Sequence, residues 1–193
     1  MAGKLSRLTV LVLALLVAFP GHAVHTPETV LSVKATQLGE TITVDATLVV
    51  GVSLNTAWEV LTDFDHMASI LENLASSEVL SRNGNLWIIR QKGVARYGFL
   101  SFPFESDREI YLEPMKRILA RNLSGTLKRM DSEANLAFQD QAVQLLYHAE
   151  IVPDSLLGRF FGATFVRHEV EEQLQKMATE MRRRESQAKQ ARR

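Results

Sequence analysis

The chain has 193 residues, 46% of them hydrophobic and 23% charged, with a formal net charge of zero. That length suffices for one domain with a sizeable core, and the balanced charge supplies no global field to draw in nucleic acid. The sequence holds no cysteine, which removes disulfides, thiolate catalysis and thiolate metal sites.

Residues 1–23 read as a secretory signal peptide. Lys4 and Arg7 make a positive start, Leu8 to Phe19 is uncharged and mostly apolar, and small residues precede a cut after Ala23. A run of this length is short for a membrane span, which needs about 20 residues. No cysteine follows it, so no lipoprotein anchor is expected. Cleavage removes two positive charges and no acids, leaving a formal charge of −2. The expectation is a periplasmic or secreted protein.

Residues 24–35 read as an N-terminal arm of mixed character, running on toward Leu38. From Thr41, Ile42, Val44, Ala46, Leu48 and Val50 alternate with polar residues, which predicts a half-buried strand. Gly51 ends it. Ser53 is an N-cap candidate, with Thr56 and Glu59 as an alternative capping box, for a short helix over Ala57–Leu61. Asp63-Phe64-Asp65 breaks that helix, and Met67, Ile70 and Leu71 mark a second short one.

Strands follow. Ser77–Ser81 turns back through Asn83-Gly84, a type I′ hairpin signal, into Leu86–Val94. Gly93 and Gly98 suggest bulges or bends. Phe99–Leu112 is extended, with Phe102, Phe104 and Ile110 on one face and Glu105, Asp107 and Glu109 on the other. Glu113–Lys116 is a turn. Strand resumes over Arg117–Ser124 and Thr126–Met130, Asp131–Asn135 reads as a polar turn, and Leu136–Phe138 begins another strand. In Gln141–Val152, Val143, Leu145, Tyr147, Ala149 and Ile151 face inward while His148 and Glu150 face out.

Pro153-Asp154-Ser155 stops the sheet. From Leu156 to about Arg184, Leu156, Phe160, Ala163, Val170, Leu174, Met177 and Met181 recur at helical spacing. They predict an amphipathic helix roughly 40 Å long. The stretch from Arg182 onward carries six basic residues against Glu185 and is expected to fray, with residues 185–193 as a basic tail. The tail is also a candidate for peripheral contact with anionic lipid. It has no interleaved aromatics, so no nucleic-acid partner is expected.

The order is one strand, two short helices, about six strands joined by short turns, and one long helix. Short turns impose antiparallel neighbours. The expected fold is therefore α+β, a curved antiparallel sheet of about seven strands wrapped around a C-terminal helix. This succession resembles the START-like superfamily, in its polyketide cyclase/dehydrase and coenzyme-Q-binding branch. The resemblance is carried by Val50-Gly51-Val52-Ser53, by Ala57 through Phe64, by Ser77-Glu78-Val79-Leu80 and by the helix from Leu156, so that the domain covers residues 36–184. Relatives often carry prolines near residues 70–73, where this chain has Ile70-Leu71-Glu72-Asn73. The resemblance implies a helix-grip fold with an apolar tunnel for lipids, quinones or polyketides. It implies no universal catalytic residues and no cofactor, and fold alone assigns no activity.

Candidate ligand-binding residues are Phe102, Phe104, Val143, Leu145, Tyr147, Phe161, Phe165 and Leu174; the bland reading of each is close-packed core. The buried hydroxyl of Tyr147 needs a polar partner, in the protein or on a ligand. His66, His148 and His168 share no metal-binding spacing, so no metal is expected. Glu105, Asp107 and Arg108, with Arg90 and Arg96, read as a solvated outer face with cross-strand ion pairs, against acid–base chemistry as the alternative. Three functions compete. The first is a periplasmic binder or carrier of a hydrophobic small molecule, not an enzyme. The second is a cyclase or dehydrase, which requires an ionisable group facing the tunnel. The third is a membrane-surface module. Oligomeric state is left open.

Overall fold

The computed structural model of the chain describes residues 29–97, 100–154 and 162–192. Its described elements are β1 (Val30–Leu38), β2 (Thr41–Val50), α1 (Leu54–Thr62), α2 (Met67–Ile70), β3 (Leu74–Asn83), β4 (Leu86–Tyr97), β5 (Leu100–Glu113), β6 (Arg117–Gly125), β7 (Leu127–Gln139), β8 (Ala142–Pro153) and α3 (Ala163–Ala191). The eight strands form one antiparallel sheet in the order β1-β2-β8-β7-β6-β5-β4-β3. Sequence neighbours pair everywhere except at β2–β8, where the two helices after β2 carry the chain across to the far edge. Among the described residues no helix is long and apolar enough to cross a membrane.

The alternation in β2 and β8 is realised residue by residue. Ile42 faces Ile151, Val44 faces Ala149, Leu48 faces Leu145 and Val50 faces Val143, all of them buried. Ala46 lies opposite Tyr147, a small residue that leaves room for a large one.

Several expectations are corrected. Residues 30–38 are a strand rather than an arm, turned back on β2 through Gly39 at φ +60°. Only one face of this edge strand is covered, so its inward Leu31, Val33 and Ala35 give a weak signal. The hairpin between β3 and β4 turns on Gly84-Asn85, because Asn83 already pairs with Leu86. Positive φ falls on Gly84 alone of these two, the requirement of a type II′ rather than a type I′ turn. Asp131–Asn135 is not a turn but the middle of β7, held between β6 and β8; pairing on both sides overrides the low strand propensity of its polar residues. The chain reverses at Gly125 instead, where φ is +127° and a Cβ would come within 2.0 Å of the Glu105 carbonyl oxygen.

The long helix has the 29 residues expected but is displaced by two turns. Gly162 is extended (ψ −179°) and caps α3, so the helix starts at Ala163, not Leu156. Residues 155–161 lie outside the described residues. The other end does not fray: α3 runs to Ala191. Its C-terminal half packs Ala178 and Met181 into the main core with Val60, Leu61 and Met67. Its N-terminal half places Ala163, Val166 and Val170 against a second cluster around Ile42, Val44 and Ile151.

The C-terminal half is also tied down by charge. Glu185 accepts from the backbone N–H of Ser53 (3.2 Å), the Ser53 hydroxyl (2.8 Å) and the Thr56 hydroxyl (2.7 Å). Ser53 caps α1 as the sequence suggests, its hydroxyl accepting from the Thr56 N–H at 3.3 Å. The acid that completes this cap comes from α3, 132 positions away, rather than from Glu59. Arg184 pairs with Asp63 and with Glu180, each at 2.7 Å. The Asp63-Phe64-Asp65 break thereby anchors three elements. Asp63 reaches α3, Asp65 accepts from the Val79 N–H of β3 at 2.9 Å, and Phe64 meets Trp87 of β4 edge-on with ring centroids 5.9 Å apart.

Candidate functional site

The two clusters of core share only a few bridging side chains, among them Val33, Tyr147 and Val170. Between the concave face of β4–β8, the short helices and the N-terminal half of α3 lies a cavity of about 330 Å³, within the range of small-molecule sites. Its wall is mostly apolar: Phe102, Phe104 and Ile110 from β5, Leu145 from β8, and Phe165, Val170 and Leu174 from α3. Gly93 helps shape it. A Cβ there would come within 2.1 Å of the Asn73 carbonyl oxygen, so glycine lets the α2–β3 link sit down on β4, where the Val94 N–H donates to Asn73 at 2.8 Å.

One part of the sheet wall is polar. Strand parity that sends Phe102, Phe104 and Ile110 inward sends Ser106 and Arg108 inward as well, and both line the cavity. The Arg108 Nη2 donates to Oε1 of Gln91. Gln91 is buried, and its Nε2 donates to the Ser77 hydroxyl at 3.1 Å, which aims its oxygen at the guanidinium. The Nε–H of Arg108 is buried and has no hydrogen-bond partner. No carboxylate forms an ion pair with Arg108 among the described residues. Burial pushes its pKa below the ordinary arginine value, and the nearby Tyr147 opposes this. Even so lowered, a guanidinium remains charged near neutrality.

Tyr147 faces the same space from β8 and is hydrogen-bonded to Ser132 of β7, its diagonal neighbour. Burial raises the phenol's pKa above its usual value, against the Arg108 charge and the Ser132 bond. At neutral pH Tyr147 is a hydrogen-bonding group and not a base. On the helix wall Glu169 accepts from the Asn73 Nδ2 at 3.1 Å, and burial raises its carboxyl above the usual carboxylate range.

Of the eight residues singled out from the sequence, Phe102, Phe104, Leu145, Tyr147, Phe165 and Leu174 line the cavity. Val143 does not: it is 1% exposed and sits in the packed core beside Val50. Phe161 lies outside the described residues. The reading of Arg108 as part of an outer face is corrected, because it faces inward. Elsewhere in that group Arg90 pairs with Asp107 at 2.8 Å, and Glu105, which borders the cavity, pairs with Lys92 at 3.2 Å. The three described histidines stand away from the cavity. His66 bonds Asp63 at 2.7 Å, His148 bonds Asp45 at 2.8 Å on the outer face, and His168 is on an exposed turn of α3. Among the described residues no cluster of histidines and acids is arranged to hold a metal ion.

A long helix laid across a curved sheet, with an apolar hollow between them and a few polar groups on one wall, defines a START-like domain of the helix-grip class, built to take a hydrophobic ligand. The family model for polyketide cyclase/dehydrase and lipid transport matches residues 50–178, and the chain belongs to that family. No curated protein matches the sequence. Among solved structures, the chain is similar to the Zhui aromatase/cyclase from Streptomyces sp. R1128 (TM-score 0.65, 18% identity, 75% of this chain and 95% of that one). It is also similar to the STAR-related lipid transfer protein from Xanthomonas axonopodis (0.56, 10%, 80% and 98%). A third is the lipid transfer and protein localization domain of human StarD13 (0.59, 11%, 78% and 84%). At these identities the likeness shows the fold alone.

Proposed function

We propose that this chain binds and carries a hydrophobic small molecule, a lipid, quinone or polyketide-like compound, in the cavity between α3 and the sheet. The observation that carries the reading is the cavity itself, about 330 Å³ and walled largely by aromatic and aliphatic side chains. Burial there is worth ~25 cal/mol per Å² of apolar ligand surface. The lipid-transfer neighbours add support from fold. The charge and apolar pattern of residues 1–23 adds export to the proposal, so that the cargo is shielded from water between two membranes. Organic extraction and native mass spectrometry of protein purified from the exported fraction test it. A hydrophobic species bound one to one, on a chain beginning near Val24, is expected. A chain that carries nothing and takes up no apolar dye would overturn the carrier reading, and a retained N-terminus would overturn the export reading.

One observation favours a second reading, a cyclase or dehydrase. The cavity wall is not purely apolar: Arg108 and Tyr147 both line it, a cation and a phenol of the kind that stabilises charge on an enolate oxygen. Loss of one water from a β-polyketone incubated with the protein, abolished in Arg108→Gln, would favour turnover over carriage.

A further inference from the structure

We infer that the guest is a singly anionic amphiphile, a carboxylate on an apolar chain, whose head seats on Arg108, held in place by Gln91, while the chain lies along the aromatic and aliphatic walls. The inference deepens the carrier reading and rests on it. It starts from Arg108, the one cationic side chain lining the cavity among the described residues. Every acid near it is engaged elsewhere. Asp107 holds Arg90, Glu105 holds Lys92, and Glu169, on the opposite wall, holds Asn73. A buried ion without a counter-ion is costly, by several kcal/mol after relaxation. Gln91 offers an acceptor dipole but no charge, and the Nε–H is unanswered.

The form of the missing partner follows from the geometry. A guanidinium presents a planar fork that matches a carboxylate in bidentate fashion. A ketone or quinone oxygen would accept a hydrogen bond but leave the positive charge uncompensated in an apolar space. A phosphate monoester would bring a second negative charge, with no second cation on the wall among the described residues to meet it. Glu169 on the helix wall disfavours a carboxylate at that end, which orients the head toward the sheet. Gln91, fixed by Ser77, holds the fork in place.

The test uses the full chain and three probes: cis-parinaric acid, its methyl ester, and the uncharged dye N-phenyl-1-naphthylamine. Their affinities are measured by fluorescence titration at neutral pH for wild type, Arg108→Gln and Arg108→Lys. The acid is expected to bind roughly 10- to 100-fold more tightly than the ester to wild type, the scale of charge-assisted bonds in a dry site. Arg108→Gln brings the acid to the ester's level and leaves the ester within about twofold, while Arg108→Lys keeps part of the difference. Equal binding of acid and ester to wild type overturns the inference and leaves the carrier reading standing, and it needs no variant to fold. An acid preference that survives in Arg108→Gln overturns it too. If none of the three probes binds, both readings fall.

Discussion

The two halves of α3 serve different ends, and the contrast lies in how charge is treated. Around the C-terminal half, each buried or half-buried charge has a partner: Glu185 on Ser53 and Thr56, Arg184 on Asp63 and Glu180. Around the N-terminal half, the space beneath the helix is hollow, and the cation facing it has a neutral amide and an empty donor. Proteins satisfy buried polar groups almost everywhere. Where they do not, the exception tends to mark the place that works on something else. The difference separates a joint that holds the fold from a chamber kept ready for a guest.

Removing the unanswered charge at Arg108 has the largest expected effect, because it acts on carboxylate affinity as well as on stability. Arg108→Met keeps length and apolar volume and deletes a cation that burial disfavours. Without ligand, stability is expected to rise by about 1 kcal/mol, the relief of an uncompensated charge being partly offset by the Gln91 oxygen left without its donor. Urea denaturation of the wild type and the variant reads it. A drop of similar size would mean that Arg108 is satisfied within the fold and that the two regions do not differ.

The matching test at the joint runs in the opposite direction. Glu185→Gln keeps the shape but weakens three charge-assisted bonds, and a loss of about 1–2 kcal/mol is expected, toward the low end because the joint is near solvent. A pH signature accompanies it. Burial alone would raise the Glu185 pKa, but the bonds from Thr56 and Ser53 outweigh that and hold it at about 2. In the unfolded chain the group titrates near 4.3. A depressed folded value contributes stability that is present above the unfolded pKa and is lost as pH falls through the folded one. Wild type should therefore lose stability between about pH 5 and 2 more steeply than Glu185→Gln. Parallel curves would show that the carboxylate is not held in this way.

Much of the joint and half of the chamber were hidden in the sequence for different reasons. The inward faces of β2 and β8 stand out because their alternation is unbroken, and Leu145 and Tyr147 follow from it; Phe102 and Phe104 follow from the same alternation in β5. Parity also placed Arg108 inside, between Phe104 and Ile110. Its charge, and the acids at Glu105, Asp107 and Glu109, point to the outer face, and in the folded chain parity prevails over charge. Local chemistry describes Arg90 and Asp107 correctly and misplaces the cation that lines the cavity. The Glu185 cap was beyond reach for another reason. Ser53 announced a helix start, but its acid comes from 132 positions away, and no spacing rule spans that distance. The basic run after Arg182 reads as solvated although Glu180 stands at helical spacing from Arg183 and Arg184; its other partner, Asp63, lies 121 positions from Arg184 and is brought to it only by the folded chain.

Tyr147 stands between the two regions and gives the finest test of where the boundary runs. It is bonded to Ser132 within the protein, as at the joint, yet it faces the cavity beside Arg108. Tyr147→Phe removes one oxygen and little volume. If the hydroxyl serves the fold, losing a neutral hydrogen bond should cost about 1 kcal/mol and leave ligand affinity alone. If it serves the chamber, the stability change is small, because cavity and ligand rather than packed atoms surround the oxygen, and affinity for a carboxylate probe falls severalfold. The second outcome is expected: small midpoint changes in denaturation and a weaker titration with cis-parinaric acid. The reverse pair of results would move Tyr147 to the holding side of the molecule and leave Arg108 and Gln91 as the chamber's polar contacts on the sheet wall.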